Sequence, residues 1–274
     1  MKKLTVLFAI LMAASVMFAQ KTTWVNQSGF NNTANVLQSA CTSQDATSIY
    51  AVQSGTWNTL NSSQTGPYNY VELYQSGSNN DAFMEQYTCN IDFPGPGVYY
   101  NDADVYQSGN SNSAALTQEE DDDDGWDYST NTANAVQSGA YNSYLLSQGT
   151  QPWKPLNNSY LKQSGFDNDA GIIQHGYKNY SEALQNGNWN TASLDQQDAA
   201  MVTPSIWSKS YSWQLGENNL LDVYQHGNAG LQYANSLQNG SSNITNVAQS
   251  SWGVQEVISD QKGNSDIINV SQSN

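Results

Sequence analysis

Apolar and polar residues alternate along most of the chain in short blocks, and each block ends in a glutamine. In residues 33–38, Ala34, Val36 and Gln38 share one face, and the residues between them share the other. A period of two residues is typical of a β-strand, whose successive side chains point to opposite faces. The pattern therefore predicts an all-β protein made of many short strands.

The glutamines that end these blocks recur with a fixed spacing. They form ten pairs, and eleven residues separate the two members of every pair. The pairs are Gln27 and Gln38, Gln53 and Gln64, Gln75 and Gln86, Gln107 and Gln118, Gln137 and Gln148, Gln163 and Gln174, Gln185 and Gln196, Gln214 and Gln225, Gln238 and Gln249, and Gln261 and Gln272. The steps between pairs vary from 11 to 21 residues. A constant short period indicates a solenoid, and variation confined to alternate steps indicates insertions along one edge.

Each pair also contains a constant turn sequence. A glycine follows the first glutamine of every pair by two residues, namely Gly29, Gly55, Gly77, Gly109, Gly139, Gly165, Gly187, Gly216, Gly240 and Gly263. An asparagine follows it by five residues in nine pairs, namely Asn32, Asn58, Asn80, Asn112, Asn142, Asn168, Asn190, Asn219 and Asn243, and the tenth pair has Asp266. Because glycine adopts positive φ without strain, we interpret the glycine as the point of reversal. Two strands joined by this turn form one rung.

The predicted fold is an all-β solenoid (β-helix) of about ten strand-turn-strand rungs, stacked as two parallel sheets. Its inward positions combine small, apolar and glutamine side chains, as in Val71, Leu73 and Gln75. A buried amide is costly unless it is hydrogen-bonded. Stacked identical amides meet this requirement, because each donates to one neighbour and accepts from the other. The mean hydropathy of −0.60 allows a disordered polar chain as the alternative, but disorder would not hold ten turns to one length.

The chain divides into a leader and one repetitive domain. Residues 1–19 have the basic start, apolar run and small final residue of a secretory signal peptide. Residues 20–274 form the predicted solenoid, with insertions at 39–47, 87–100, 119–130, 149–156 and 197–207. The given sequence ends two residues after Gln272, so we expect an uncapped terminal rung. Such a rung offers free N–H and C=O groups to another chain.

Charge and cysteine content narrow the functional classes. The net charge is −16 and removal of the leader would make it more negative by two, which argues against nucleic acid as a partner. The insertion at 119–130 is strongly acidic, which is typical of a solvated segment. The alternative is that it forms a weak Ca²⁺ site. Its candidate ligands are Asp121, Asp122, Asp123 and Asp124. Cys41 and Cys89 lie in insertions two rungs apart on one edge, and the sequence leaves their pairing open.

The residues do not suggest an enzyme or a cofactor site. The chain contains no arginine and only two histidines, His175 and His226, each directly after the second glutamine of a pair. This position favours the surface over a catalytic site. Outward aromatic residues suggest lateral contacts or adhesion, or they reflect strand propensity alone. They are Trp57, Tyr70, Tyr74, Tyr106, Tyr180 and Trp189.

The repeat resembles the curlin repeat of curli fimbriae, the extracellular amyloid fibres of bacterial biofilms. Residues 27–38, Gln-Ser-Gly-Phe-Asn-Asn-Thr-Ala-Asn-Val-Leu-Gln, match its Gln-x-Gly-x-x-Asn-x-Ala-x-Val-x-Gln unit closely. The resemblance implies a secreted fibre subunit that polymerises with itself through its rungs, for the biofilm matrix and surface adhesion. It also implies a nucleator subunit, a periplasmic chaperone and an outer-membrane export channel as partners. The residues do not separate a major subunit from a nucleator, and the alternative is a non-polymerising solenoid adhesin.

Overall fold

The computed structural model describes ten stretches of the chain. They are residues 21–39, 47–66, 68–88, 99–120, 129–149, 156–176, 178–198, 208–227, 231–251 and 254–273. Twenty strands occupy almost all of these residues. Among them, no helix is long and apolar enough to cross a membrane.

The strands alternate between two positions in each rung. The first strands are β1 (Lys21–Phe30), β3 (Thr47–Thr56), β5 (Asn69–Ser78), β7 (Tyr99–Asn110), β9 (Ser129–Ala140), β11 (Leu156–Phe166), β13 (Asn179–Asn188), β15 (Ser208–Glu217), β17 (Gln232–Ser241) and β19 (Gln255–Asn264). The second strands are β2 (Thr33–Ser39), β4 (Thr59–Thr65), β6 (Asp81–Thr88), β8 (Ser113–Glu120), β10 (Ser143–Gly149), β12 (Asp169–His175), β14 (Thr191–Asp198), β16 (Leu220–Gly227), β18 (Ile244–Ser251) and β20 (Ile267–Ser273).

The two sets of strands form two parallel sheets. In the described part of the chain, the first strands make one ten-stranded sheet in chain order, called sheet 1, and the second strands make another, called sheet 2. Each strand pairs in parallel with the strand two places on, so that Gln27 lies opposite Gln53 and Gln38 opposite Gln64. The predicted β-solenoid of two parallel sheets is confirmed, with ten described rungs that we number 1 to 10 from β1/β2 to β19/β20.

The turn within each rung involves two positions with positive φ. The reversal occurs two residues after the turn glycine, at a residue in the left-handed conformation, such as Asn31 with φ 57° or Trp57 with φ 61°. Gly29 itself still belongs to β1, with φ 103°. The positive φ predicted for the glycine is therefore present, and the reversal itself follows directly after the strand that contains it.

The glycine column has a second physical cause, which is the close approach of rungs. A Cβ atom built on Gly165, whose φ is 117°, would lie 1.9 Å from the carbonyl oxygen of Gly187 in the next rung. The glycines of rungs 1 to 9 share this geometry, with separations of 1.8–2.0 Å. No side chain fits between stacked turns, so this position must be glycine in each of these rungs.

The space between the sheets holds the core. Leu60, Val71, Met84, Leu116 and Ile172 are among its completely buried apolar side chains. The alternation of buried and outward residues along β4, β6 and β12 matches the predicted period of two. Burial of this apolar surface drives the two sheets together.

The core becomes richer in hydroxyl groups towards the last rungs. Ser181 donates to Oε1 of Gln196 at 2.7 Å, and Thr245 donates to Oε1 of Gln261 at 2.7 Å. In these rungs, small hydroxyl side chains occupy places where earlier rungs carry aliphatic ones. Buried glutamines thus accept from the hydroxyls of Ser181 and Thr245, whereas, among the described residues, the buried hydroxyls of Ser159, Ser210 and Ser212 have no hydrogen-bond partner.

The predicted insertions coincide with the boundaries between rungs. Strands reach one or two residues into their edges, as Tyr87 and Thr88 do in β6 and Leu156 does in β11. The middle of each insertion, Cys41, Cys89, the four candidate Ca²⁺ ligands and residues 1–19 lie outside the described residues. The insertion boundaries and the leader therefore stay predictions.

Candidate functional site

Two columns of glutamines run through the core, one from each sheet. The sheet 1 column consists of Gln27, Gln53, Gln75, Gln107, Gln137, Gln163, Gln185, Gln214, Gln238 and Gln261. The sheet 2 column consists of Gln38, Gln64, Gln86, Gln118, Gln148, Gln174, Gln196, Gln225, Gln249 and Gln272. The structure thus places all twenty predicted ladder glutamines in two continuous columns, one member per rung in each.

Each glutamine bonds the glutamine of the next rung, from Nε2 to Oε1. In sheet 1, for example, Gln53 donates to Gln75 at 2.7 Å, and Gln75 donates to Gln107 at 2.8 Å. The links connect every pair of neighbouring described rungs, with distances from 2.5 to 3.1 Å. The predicted ladder geometry is therefore present.

The sheet 2 column keeps the same geometry in the middle and towards the end of the stack. Gln118 donates to Gln148 at 2.8 Å, and Gln196 donates to Gln225 at 2.8 Å. All four side chains are completely buried. The ladder therefore does not weaken across the predicted insertions at 119–130 and 197–207, which lie between rungs rather than within them.

The second amide hydrogen of the glutamines ties the two sheets together. Nε2 of Gln75 in sheet 1 also donates to the carbonyl oxygen of Thr59 in sheet 2, at 3.0 Å. Nε2 of Gln86 in sheet 2 donates to the carbonyl oxygen of Tyr70 in sheet 1, at 2.9 Å. Gln118, Gln148, Gln225 and Gln249 make the same cross-core bond at 3.2–3.3 Å. Each interior amide thus has partners above it, below it and across the core, which offsets the cost of its burial.

A column of asparagines lines the turns and runs in the opposite sense. Nδ2 of Asn80 donates to Oδ1 of Asn58 in the preceding rung at 3.0 Å, and its backbone N–H donates to the same oxygen at 3.1 Å. Nδ2 also donates to the carbonyl oxygens of Ser76 at 2.9 Å and Gly109 at 3.1 Å. The asparagine therefore closes its own turn and links it to both neighbouring turns, which explains its fixed place in the repeat.

A second asparagine column lies at the opposite corner, and the site prediction did not include it. Its members are Asn69, Asn101, Asn131, Asn157 and Asn179, with successive Nδ2–Oδ1 distances of 3.1, 3.0, 3.2 and 3.1 Å. All are at most 1% exposed. The available signal was the asparagine six residues before the first glutamine in five consecutive rungs.

Rungs 1 and 10 are the outermost rungs of the described stack. Within the described residues, β1 and β2 pair only with β3 and β4, and β19 and β20 pair only with β17 and β18. Gln27, Gln38 and Gln272 are accordingly not fully buried, whereas the glutamines of rungs 2 to 9 are. Among the described residues, both surfaces therefore leave their strand edges unpaired and their amide columns incomplete.

The predicted outward aromatics all lie on the surface. Trp57 and Trp189 occupy the left-handed turn position and are 60% and 47% exposed. The rings of Tyr74 and Tyr106 in neighbouring rungs stack with centroids 5.0 Å apart and an interplanar angle of 7°. The outer face of sheet 1 thus carries cross-strand aromatic pairs, which stabilise neighbouring strands.

Carboxylates lie among these rings in rungs 3 and 4. Tyr74 donates to Glu72 at 2.7 Å, and Asp104 lies beside Glu72 in the neighbouring strand. Partial burial, followed by the charges of Asp102 and Glu72, raises the pKa of Asp104 to about 6. Burial also raises the pKa of Asp102. At neutral pH the carboxyl of Asp104 is therefore ionised, and its charge lowers the stability of the folded state.

We expect Asp104→Asn to raise the unfolding free energy at pH 7 by about 1 kcal/mol, a value reduced for solvent screening of a half-exposed group. Because the pKa of Asp104 is raised in the folded state, its unfavourable contribution is absent below pH 4 and develops as the pH rises through about 6. The gain should therefore vanish near pH 4. Urea unfolding at both pH values tests this, with Glu85→Gln on the exposed face of sheet 2 as the control. Equal gains in both variants would contradict the assignment.

The two histidines lie on strands of sheet 2 that are not neighbours. His175 and His226 are exposed at the outer edge of sheet 2, with rung 7 between their strands. Among the described residues, no three His, Cys, Asp or Glu side chains are grouped so as to hold a metal ion.

Comparison with known proteins agrees with this architecture. A family model described as the curlin associated repeat matches residues 55–87, 101–122 and 165–197. No curated protein and no solved structure matches the chain. Each matched region contains ladder glutamines of both sheets, turn glycine and turn asparagine. Three regions of the chain are therefore similar to the curlin-associated repeat.

Proposed function

We propose that the chain is a structural subunit of an extracellular curli-like amyloid fibre, which grows by stacking one copy on the next. The observation that carries this proposal is the pair of glutamine columns, in which every link between rungs joins identical residues. Such columns have no preferred length, because every rung offers the same groups to the next one. The curlin-associated repeat supports the same assignment.

The outermost described rungs are complementary. In rung 10, Gln261 and Gln272 each use Nε2 for one carbonyl oxygen, of Ile244 and Glu256, and hold a further N–H towards the open side. In rung 1, Oε1 of Gln27 has no ladder donor among the described residues. Placing rung 1 of a second copy on rung 10 continues both columns in the same direction. The two surfaces differ, so this contact is heterologous and generates an open filament.

Secretion and the assembly partners belong to the same proposal. The basic and apolar leader in residues 1–19 would direct export, and a periplasmic chaperone, an outer-membrane channel and a nucleator would serve assembly. The fibre would act in the biofilm matrix and in surface adhesion, without catalysis.

Assembly of the purified secreted chain, residues 20–274, tests the proposal. We expect fibres that bind thioflavin T and give a meridional reflection at about 4.8 Å in fibre diffraction. Seeding of fresh chain by these fibres would show growth at their ends. A stable monomer rich in β-structure would reject polymerisation and favour a solenoid adhesin, in which the exposed aromatic residues would contact the target.

A further inference from the structure

The turn asparagine column changes chemically in its last described rung. Asp266 occupies the place of the asparagine, and its backbone N–H still donates to Oδ1 of Asn243 at 3.1 Å. Its side chain is exposed in rung 10. An ionised carboxylate offers only acceptors, whereas the asparagine amide offers two donor hydrogens and one acceptor.

The lost donors have defined partners in the other rungs. Nδ2 of Asn58 donates to the carbonyl oxygen of Ser54 in its own turn at 2.9 Å. It also donates to the carbonyl oxygen of Gly77 in the next rung at 3.3 Å. In rung 9, Nδ2 of Asn243 donates to the carbonyl oxygen of Gly263 at 3.1 Å. A donor at this position therefore connects each turn to the turn above it.

The proposed joint places Asp266 in the same setting. Continuing the register sets Asp266 of one copy against Asn32 of the next, just as Asn243 lies against Asp266. One carboxylate oxygen can accept from the backbone N–H and Nδ2 of Asn32, as Oδ1 of Asn32 does from Asn58. The other oxygen faces the carbonyl oxygens of Lys262 and of Gly29 in the second copy. Two acceptors then oppose each other without a proton between them.

We propose that Asp266 makes the end-to-end joint between two copies of this chain proton-dependent, so that the joint forms with Asp266 neutral. The proton comes from solvent, and the resulting O–H replaces the missing amide donor towards one of the carbonyl oxygens. This inference rests on the proposed function, since it concerns the contact by which the fibre grows.

Within the part of the chain that the structure describes, no cation is placed to stabilise the charged form. Lys262, in the same turn, bonds Asp260 at 2.8 Å on the outer face. The turn of rung 9, residues 240–243, and the turn of rung 1, residues 29–32, contain no titratable side chain. Lys21 of the second copy belongs to the opposite corner of its rung. Joining therefore removes water from the carboxylate of Asp266 and sets it against two carbonyl oxygens, which disfavours its charged form, and the joint strengthens as the pH falls.

Elongation of preformed seeds by the purified secreted chain tests this inference. The critical concentration is measured at pH 7.5 and pH 4.5 for the unmodified chain, Asp266→Asn and Asp169→Asn. Asp169 is exposed on the outer face of sheet 2, so its variant makes the same change in net charge away from the joint. We expect Asp266→Asn to lower the critical concentration at pH 7.5 by about tenfold, through the restored donor, and to remove most of the pH dependence. Asp169→Asn should behave as the unmodified chain.

The outcomes separate this inference from the proposed function. Equal effects of the two variants would attribute the pH dependence to net charge and overturn the role of Asp266. An unchanged critical concentration for Asp266→Asn would overturn it as well, provided that circular dichroism shows the fold intact. Failure of all three chains to form fibres at either pH would instead reject polymerisation, and the joint with it.

Discussion

Replacement of Gly165 by valine is expected to abolish the stacking of rung 6 on rung 7. The Cβ atom would lie 1.9 Å from the carbonyl oxygen of Gly187, and the φ of 117° is one that valine does not adopt without strain. Because the clashing atom belongs to the backbone, no side-chain movement relieves the clash. We expect a loss of at least about 4 kcal/mol in unfolding free energy, measured by urea unfolding, and arrested fibre growth.

Gly171 provides the matched control in the same rung. Its Cβ would point outward from β12 with no atom within 4 Å, and its φ lies in the ordinary range. Gly171→Val should therefore change the unfolding free energy by no more than about 0.5 kcal/mol. Equal losses in the two variants would show that any added side chain disturbs this rung, and would contradict the close approach of the turns.

Replacement of Gln137 by leucine is expected to open the sheet 1 glutamine column. Gln137 accepts from Gln107 at 2.9 Å and donates to Gln163 at 2.9 Å and to the carbonyl oxygen of Ser113 at 2.9 Å. Leucine fills a similar volume but leaves these buried groups without partners. The unfolding free energy should fall by about 2–5 kcal/mol, whereas Gln197→Leu on the outer face should change it by about 0.5 kcal/mol or less.

The double variant Gln137→Leu/Gln163→Leu separates hydrogen bonding from packing. Two adjacent leucines need no hydrogen bond between them, so only the groups at the borders of the pair lose partners. The combined loss should therefore be smaller than the sum of the single losses by roughly 1–3 kcal/mol. Additive losses in a double-mutant cycle would mean that the glutamines act through independent packing, and the ladder would not be the stabilising unit.

The sequence predicted the architecture because its period is set by covalent spacing. Each eleven-residue step between glutamines corresponds to a strand, a turn and a return, so Gln163 and Gln174 had to face the same core from opposite sheets. Parallel stacking in register then followed, since only this arrangement brings identical amides together. These features depend on local periodicity and on hydrogen-bond chemistry, both of which a single chain displays.

The turn details could not be predicted because they depend on contacts between rungs. Nothing local distinguishes a glycine required for positive φ from one required by the carbonyl of the next rung, as at Gly165. The left-handed position was missed because residues as different as Asn31, Trp57 and Asp167 occupy it. The second asparagine column was missed because only five rungs carry it, and its ladder forms through stacking that sequence spacing did not reveal.

The opposite senses of the amide columns determine the electric moment of the rod. Each side-chain amide in these columns carries a dipole along the stacking direction. The amide dipoles of the two glutamine columns point the same way and add. The asparagine columns add in the opposite direction, as the donations from Asn80 to Asn58 and from Asn101 to Asn69 show. The moments therefore oppose each other, most completely in rungs 3 to 7, where both asparagine columns are present. This opposition reduces the moment that each copy adds to a fibre, and with it the dipolar repulsion between neighbouring fibres that lie in the same orientation.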